Sequence, residues 1–108
     1  MKNETAEQFI ARKLTEKNVT ATLQSPEEGK TWTFQVEAQT FISVYPKMVY
    51  LLERLSGGWI TGETKMYRIG FYRLMENGTW HRPLQNPIIS KKMLELLYAK
   101  AIVDGTLV

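Results

Sequence analysis

Eight side chains within Lys65–Leu84, KMYRIGFYRLMENGTWHRPL, have the types that do chemistry on a surface: Tyr67, Arg68, Phe71, Tyr72, Arg73, Trp80, His81 and Arg82. Rings beside arginines can hold stacked bases or the anionic patch of another protein. The same composition also serves as half of a hydrophobic core with a polar rim. Asn77-Gly78 is a strong two-residue hairpin signal. A type I′ turn there would pair Glu76 with Thr79, Met75 with Trp80, Arg73 with Arg82 and Phe71 with Leu84. Tyr67, Ile69, Phe71, Arg73, Met75, Trp80 and Arg82 then share one face, with Met66, Arg68, Gly70, Tyr72, Leu74 and His81 on the other. Two arginines directly opposite each other repel. The pattern therefore asks for an anionic ligand between them, or for a carboxylate such as Glu53 or Glu95. Gly70 inside the strand marks a bulge or a close approach of another group. The expected binding residues are Tyr67, Arg68, Tyr72, Arg73, Trp80, His81 and Arg82.

Catalysis finds little support. His81 is the only histidine and there are no cysteines, which excludes clustered-imidazole and thiolate metal sites, a cysteine nucleophile and a disulfide framework. No G-x-S-x-G or comparable nucleophile accompanies His81. Gly57-Gly58-Trp59-Ile60-Thr61-Gly62-Glu63-Thr64 nearly matches the phosphate-binding loop. However, Glu63 stands where that loop needs lysine, and a carboxylate would repel a triphosphate. No cofactor is expected.

The elements that must position these residues follow from periodicity. Thr5 with Gln8 three positions later forms a capping-box pattern that starts a helix of about 12 residues. Ala6, Phe9, Ile10 and Leu14 make its narrow apolar stripe. Val19–Ser25 and Lys30–Glu37 alternate apolar and polar residues around Pro26-Glu27-Glu28-Gly29. The expected pairs are Leu23 with Trp32, Ala21 with Phe34 and Val19 with Val36, and a one-residue slip would bury threonines. Phe41–Tyr45 reads as extended because it precedes Pro46. Met48, Leu51, Leu52 and Leu55 at i, i+3, i+4, i+7 predict a second helix opened by Pro46 and ended by Gly57-Gly58. Trp59–Thr61 reads as a short strand. Ser90 caps a last helix, Lys91–Val103, which ends at Asp104-Gly105.

The expectation is one α+β domain spanning 1–108, with an antiparallel four- or five-stranded sheet and three helices in the order α-ββ-α-(β)ββ-α. Met93, Leu94, Leu96, Leu97, Tyr98, Ala101, Ile102 and Val103 surround most of the last helix. A helix apolar nearly all round needs burial on more than one side. A homodimer through Met93, Leu97 and Ala101 is one reading, and a central core helix is the other.

The 108 residues carry a net charge of +3. Residues 1–40 hold five Lys/Arg against six Asp/Glu, and residues 41–108 hold nine against five. A basic C-terminal half suits an anionic partner. No apolar run approaches the roughly 20 residues of a membrane span. MKNETAEQF lacks a signal-peptide core, which predicts a cytoplasmic chain with no membrane partner. Two function classes result. The first is a non-enzymatic interaction module, a small regulatory or accessory protein that binds a protein partner through the aromatic and arginine surface and the apolar C-terminal helix. The alternative is a nucleic-acid-binding protein that uses the basic hairpin 65–82, with arginines on phosphates and rings on bases.

Overall fold

Alternating side chains at 20–24 and 31–36 set the first strand pair in the expected register. Leu23 pairs with Trp32 and Ala21 with Phe34, and Val36 N–H donates to Val19 O at 2.9 Å. The computed structural model describes residues 4–24, 29, 31–45, 47–56, 65–83 and 87–108. In chain order these form α1 (Ala6–Thr15), β1 (Thr20–Gln24), β2 (Thr31–Tyr45), β3 (Met48–Ser56), β4 (Lys65–Leu74), β5 (Trp80–His81) and α2 (Lys91–Asp104). The strands make one antiparallel sheet in sequential order β1-β2-β3-β4-β5. The α+β class and the five antiparallel strands match expectation. Trp59–Thr61, the Gly57–Thr64 loop and the residues Pro26-Glu27-Glu28 lie outside the described residues.

The described residues contain two helices rather than three, because the expected second helix is β3. The spacing of Met48, Leu51, Leu52 and Leu55 fits a helix stripe. It equally fits a run that is apolar on both sides, as a central strand buried on both faces requires. Val49, Tyr50, Leu51, Leu52, Glu53 and Leu55 are all buried. Tyr45 pairs with Met48 across a two-residue connection, so the chain reverses at once into the sheet. β2 is correspondingly one strand of 15 residues, with register shifts between Val36 and Ala38 and between Ser43 and Tyr45.

The helices cover opposite faces of this sheet. α1 begins with the expected reciprocal cap. Gln8 N–H donates to Thr5 Oγ1 at 3.1 Å, and Thr5 N–H to Gln8 Oε1 at 2.9 Å. It places Ala6 and Phe9 on Phe41, Val49 and Leu51. α2 is capped by Ser90, whose Oγ accepts from Met93 N–H at 3.1 Å, and ends at Gly105 with φ 77°. It sets Leu97 and Ala101 on Leu52. Farther along the α1 face, Ala21, Phe34 and Leu55 make a third apolar cluster. Among the described residues, no helix is long and apolar enough to cross a membrane.

Candidate functional site

The hairpin that carries the expected site closes one residue differently from the type I′ expectation. Gly78 N–H donates to Met75 O at 3.0 Å, and Met75 N–H donates to Thr79 O at 2.8 Å. Gly78 has φ 86°, whereas Asn77 stays on the negative side. This is a three-residue connection with glycine in the left-handed position, not a two-residue turn. Asn77 Oδ1 accepts from both Thr79 N–H at 3.1 Å and Thr79 Oγ1 at 2.6 Å, which fixes the loop. The pairs are therefore Leu74 with Trp80 and Arg73 with His81. The expected pairs Met75 with Trp80 and Arg73 with Arg82 do not form.

The one-residue shift redistributes the candidate residues between the two faces. Arg68, Tyr72, Trp80 and Arg82 share the α1 face with Glu53. Tyr67, Arg73 and His81 fall on the α2 face. Arg73 and His81 are exposed.

Glu53 is the centre of the α1-face group. It sits opposite Arg68 in the β3–β4 register and is 1% exposed. Its Oε1 accepts from Arg68 Nε at 2.9 Å and from Arg82 Nη2 at 2.8 Å. The Arg68 and Arg82 side chains are 22% and 26% exposed. Burial alone would raise the Glu53 pKa. The hydrogen bond and charge of Arg82, then those of Arg68, outweigh that and hold it below its ordinary 4.5. Glu53 in turn keeps the Arg82 guanidinium charged against its own desolvation. The carboxylate anticipated between two arginines is thus Glu53, with Arg68 and Arg82 rather than Arg73. Glu95 instead pairs with Lys91 at 3.8 Å on α2.

The rings of the α1 face are packed together beneath α1. Phe9 meets Tyr72 at 4.8 Å between centroids and stacks on Trp80 at 5.0 Å. Trp80 Nε1–H donates to Glu4 O at 3.1 Å. Lys13 Nζ lies 5.3 Å from the Tyr72 ring and the Arg82 guanidinium carbon 5.7 Å from it. On the other face, the Tyr67 hydroxyl donates to Val108 O at 3.3 Å and accepts from Val108 N–H at 3.2 Å. His81 and Glu53 point to opposite faces, so they do not form an acid–base pair. Among the described residues, no three His, Cys, Asp or Glu side chains converge as metal ligands.

The second expected site also rearranges. Leu97 and Ala101 have no exposed surface, and Met93 is half-buried beside them. Leu97 and Ala101 form the seam that α2 presents to the sheet, so they are core rather than interface. The apolar residues left in solvent are Leu94, Leu96, Tyr98, Ile102 and Val103. Leu94, Tyr98 and Ile102 follow at i, i+4, i+8 and form one continuous stripe beside the seam. Hydropathy could not separate stripe from seam, because both are apolar.

The chain matches no protein-family model, and no curated protein or solved structure is significantly similar to it.

Proposed function

We propose that this protein is a non-enzymatic interaction module, a small regulatory or accessory factor that binds a protein partner through the outer face of α2. One observation carries this reading. Leu94, Tyr98 and Ile102 are 43%, 56% and 52% exposed on consecutive turns of a well-capped helix. Exposed large apolar residues that are contiguous mark interaction surfaces, whereas scattered ones do not. A helix presenting anchors at i, i+4, i+8 fits a groove or a second helix.

The aromatic hairpin supports the fold more than it supports a ligand. Tyr72 and Trp80 are engaged with Phe9, and Arg68 and Arg82 with Glu53. A nucleic-acid reading built on stacking rings would need them free. What remains for an anion in and beside the hairpin is the exposed Arg73 and His81, together with Lys47, whereas Lys65 pairs with Glu37 at 3.6 Å.

Two measurements test the proposal. Paired affinity captures would use the parent chain and an Ile102→Lys variant as baits. A partner held by the parent and lost by the variant supports the α2 surface, and equal capture by both overturns it. Fluorescence anisotropy with labelled single-stranded DNA, duplex DNA and RNA would be read at about 50 and 200 mM salt. Tight binding that collapses across that range and is abolished by Arg73→Glu replaces this proposal with the nucleic-acid reading.

A further inference from the structure

Asn77 and Gly78 carry a second chemistry besides turn formation. The Gly78 amide nitrogen can attack the side-chain carbonyl carbon of Asn77, because glycine has no β-carbon to hinder the approach. The nitrogen gives up its proton, a C–N bond closes a cyclic imide, and the Asn77 side-chain nitrogen takes a proton and leaves as ammonia. Water then opens the ring at either carbonyl, to aspartate or to isoaspartate. In sum, an amide and a water become a carboxylic acid and ammonia, with no oxidant or reductant involved. Isoaspartate routes the main chain through the β-carbon of residue 77 and so lengthens the connection. That connection sets the Leu74–Trp80 and Arg73–His81 pairs. A chain modified this way no longer closes the hairpin in that register.

The loop exposes this pair yet holds both reacting groups. Asn77 and Thr79 face solvent. The proton that must leave is donated by Gly78 N–H to Met75 O at 3.0 Å. The carbonyl that must turn is held at Oδ1 by Thr79 N–H at 3.1 Å and Thr79 Oγ1 at 2.6 Å. Donors on Oδ1 also polarise the carbonyl, which by itself favours attack. Three bonds that open together, each worth about two- to tenfold, outweigh that pull at an exposed site. We propose that Asn77-Gly78 is a gated deamidation site. The closed loop keeps it unreactive despite its exposure, and opening of the hairpin end admits the reaction and marks the chain permanently.

Peptide-mapping mass spectrometry of the full chain at mildly alkaline pH measures the rate, through the aspartyl and isoaspartyl products at position 77. The folded parent should react at least about tenfold more slowly than the same chain in guanidinium chloride. Thr79→Val removes the hydroxyl donor and should speed the folded reaction about two- to tenfold, with the denatured rate unchanged. Thr79→Ser keeps the donor and should keep the slow rate. Hydrogen exchange of the Gly78 amide reports loop opening in the same samples. In Thr79→Val it should quicken by the same factor as deamidation, even if that variant loosens the whole hairpin. A folded parent that reacts as fast as the denatured chain overturns the gate. A slower Thr79→Val overturns it too, because the hydroxyl would then drive the attack by polarising the carbonyl.

Discussion

The guanidinium of Arg82 lies against the backbone of Gly70, in space that a β-carbon at position 70 would occupy. That β-carbon would meet Arg82 Nη2 and stand 3.0 Å from the guanidinium carbon. Glycine here is a matter of room rather than of backbone conformation. The bare strand lets Arg82, just beyond β5, cross over β4 to Glu53 on β3.

Gly70→Ala should therefore displace Arg82 and lengthen its bond to Glu53. In an ordinary strand interior, alanine in place of glycine stabilises. Here a loss of about 1–3 kcal/mol is expected, because the displaced guanidinium leaves a buried carboxylate short of one charged hydrogen bond. Urea denaturation of the parent and variant gives the sign directly. A gain in stability would show that Arg82 reaches Glu53 without needing that space.

The depressed pKa of Glu53 makes stability depend on pH with a definite sign. The group is ionised more readily in the folded chain than in the unfolded chain, where its value is near 4.5. Its contribution is complete above 4.5 and is lost as pH falls through the lower folded value. Glu53→Gln should flatten the acid limb of a stability–pH curve relative to the parent. At neutral pH, Glu53→Ala strands two partly buried arginines and should cost about 3–5 kcal/mol. Parallel acid limbs for parent and Glu53→Gln would assign the acid sensitivity to other carboxylates, such as Glu4 beside Arg12.

Thr40 and Thr106 are both buried, and Thr40 Oγ1 donates to Thr106 Oγ1 at 2.8 Å. This bond ties the segment after α2 to the middle of β2. Thr40→Val leaves the Thr106 hydroxyl buried without that partner and should cost about 1–3 kcal/mol. Replacing both by valine should recover most of the loss, since no polar group is then stranded. A double-mutant cycle measures the coupling, and purely additive losses would mean that the two hydroxyls act independently.

Leu97 and Tyr98 are adjacent yet should respond in opposite ways. Leu97→Ala opens a cavity against Leu52 and should cost about 2–5 kcal/mol, and Leu97→Lys should unfold the chain. Tyr98→Lys should leave stability within about 0.5 kcal/mol, because the ring faces solvent. Thermal melts of the three variants at low protein concentration separate the seam from the stripe.

Much of this architecture was legible in local signals. Thr5 with Gln8, and Ser90 with Gly105, bound the helices because caps depend only on neighbours a few residues away. The β1–β2 register followed from strict alternation, since a one-residue slip buries threonines. Glu53 was also visible as a candidate partner for paired arginines, although which arginines it would hold was not.

Three features needed the folded chain. Met48–Ser56 satisfies both a helix stripe and a doubly buried strand, and β2 and β4 on either side select the strand. Asn77-Gly78 accepts either of two turns at similar local cost. The choice falls to Trp80 stacking on Phe9 and Arg82 reaching Glu53, contacts made across tens of residues. α2 is apolar on almost every side, and only docking on Leu52 separates the buried Leu97 and Ala101 from the exposed Leu94, Tyr98 and Ile102. Local sequence determined the elements whose energetics close within a few residues. Where two local solutions were nearly equal, burial against distant partners decided.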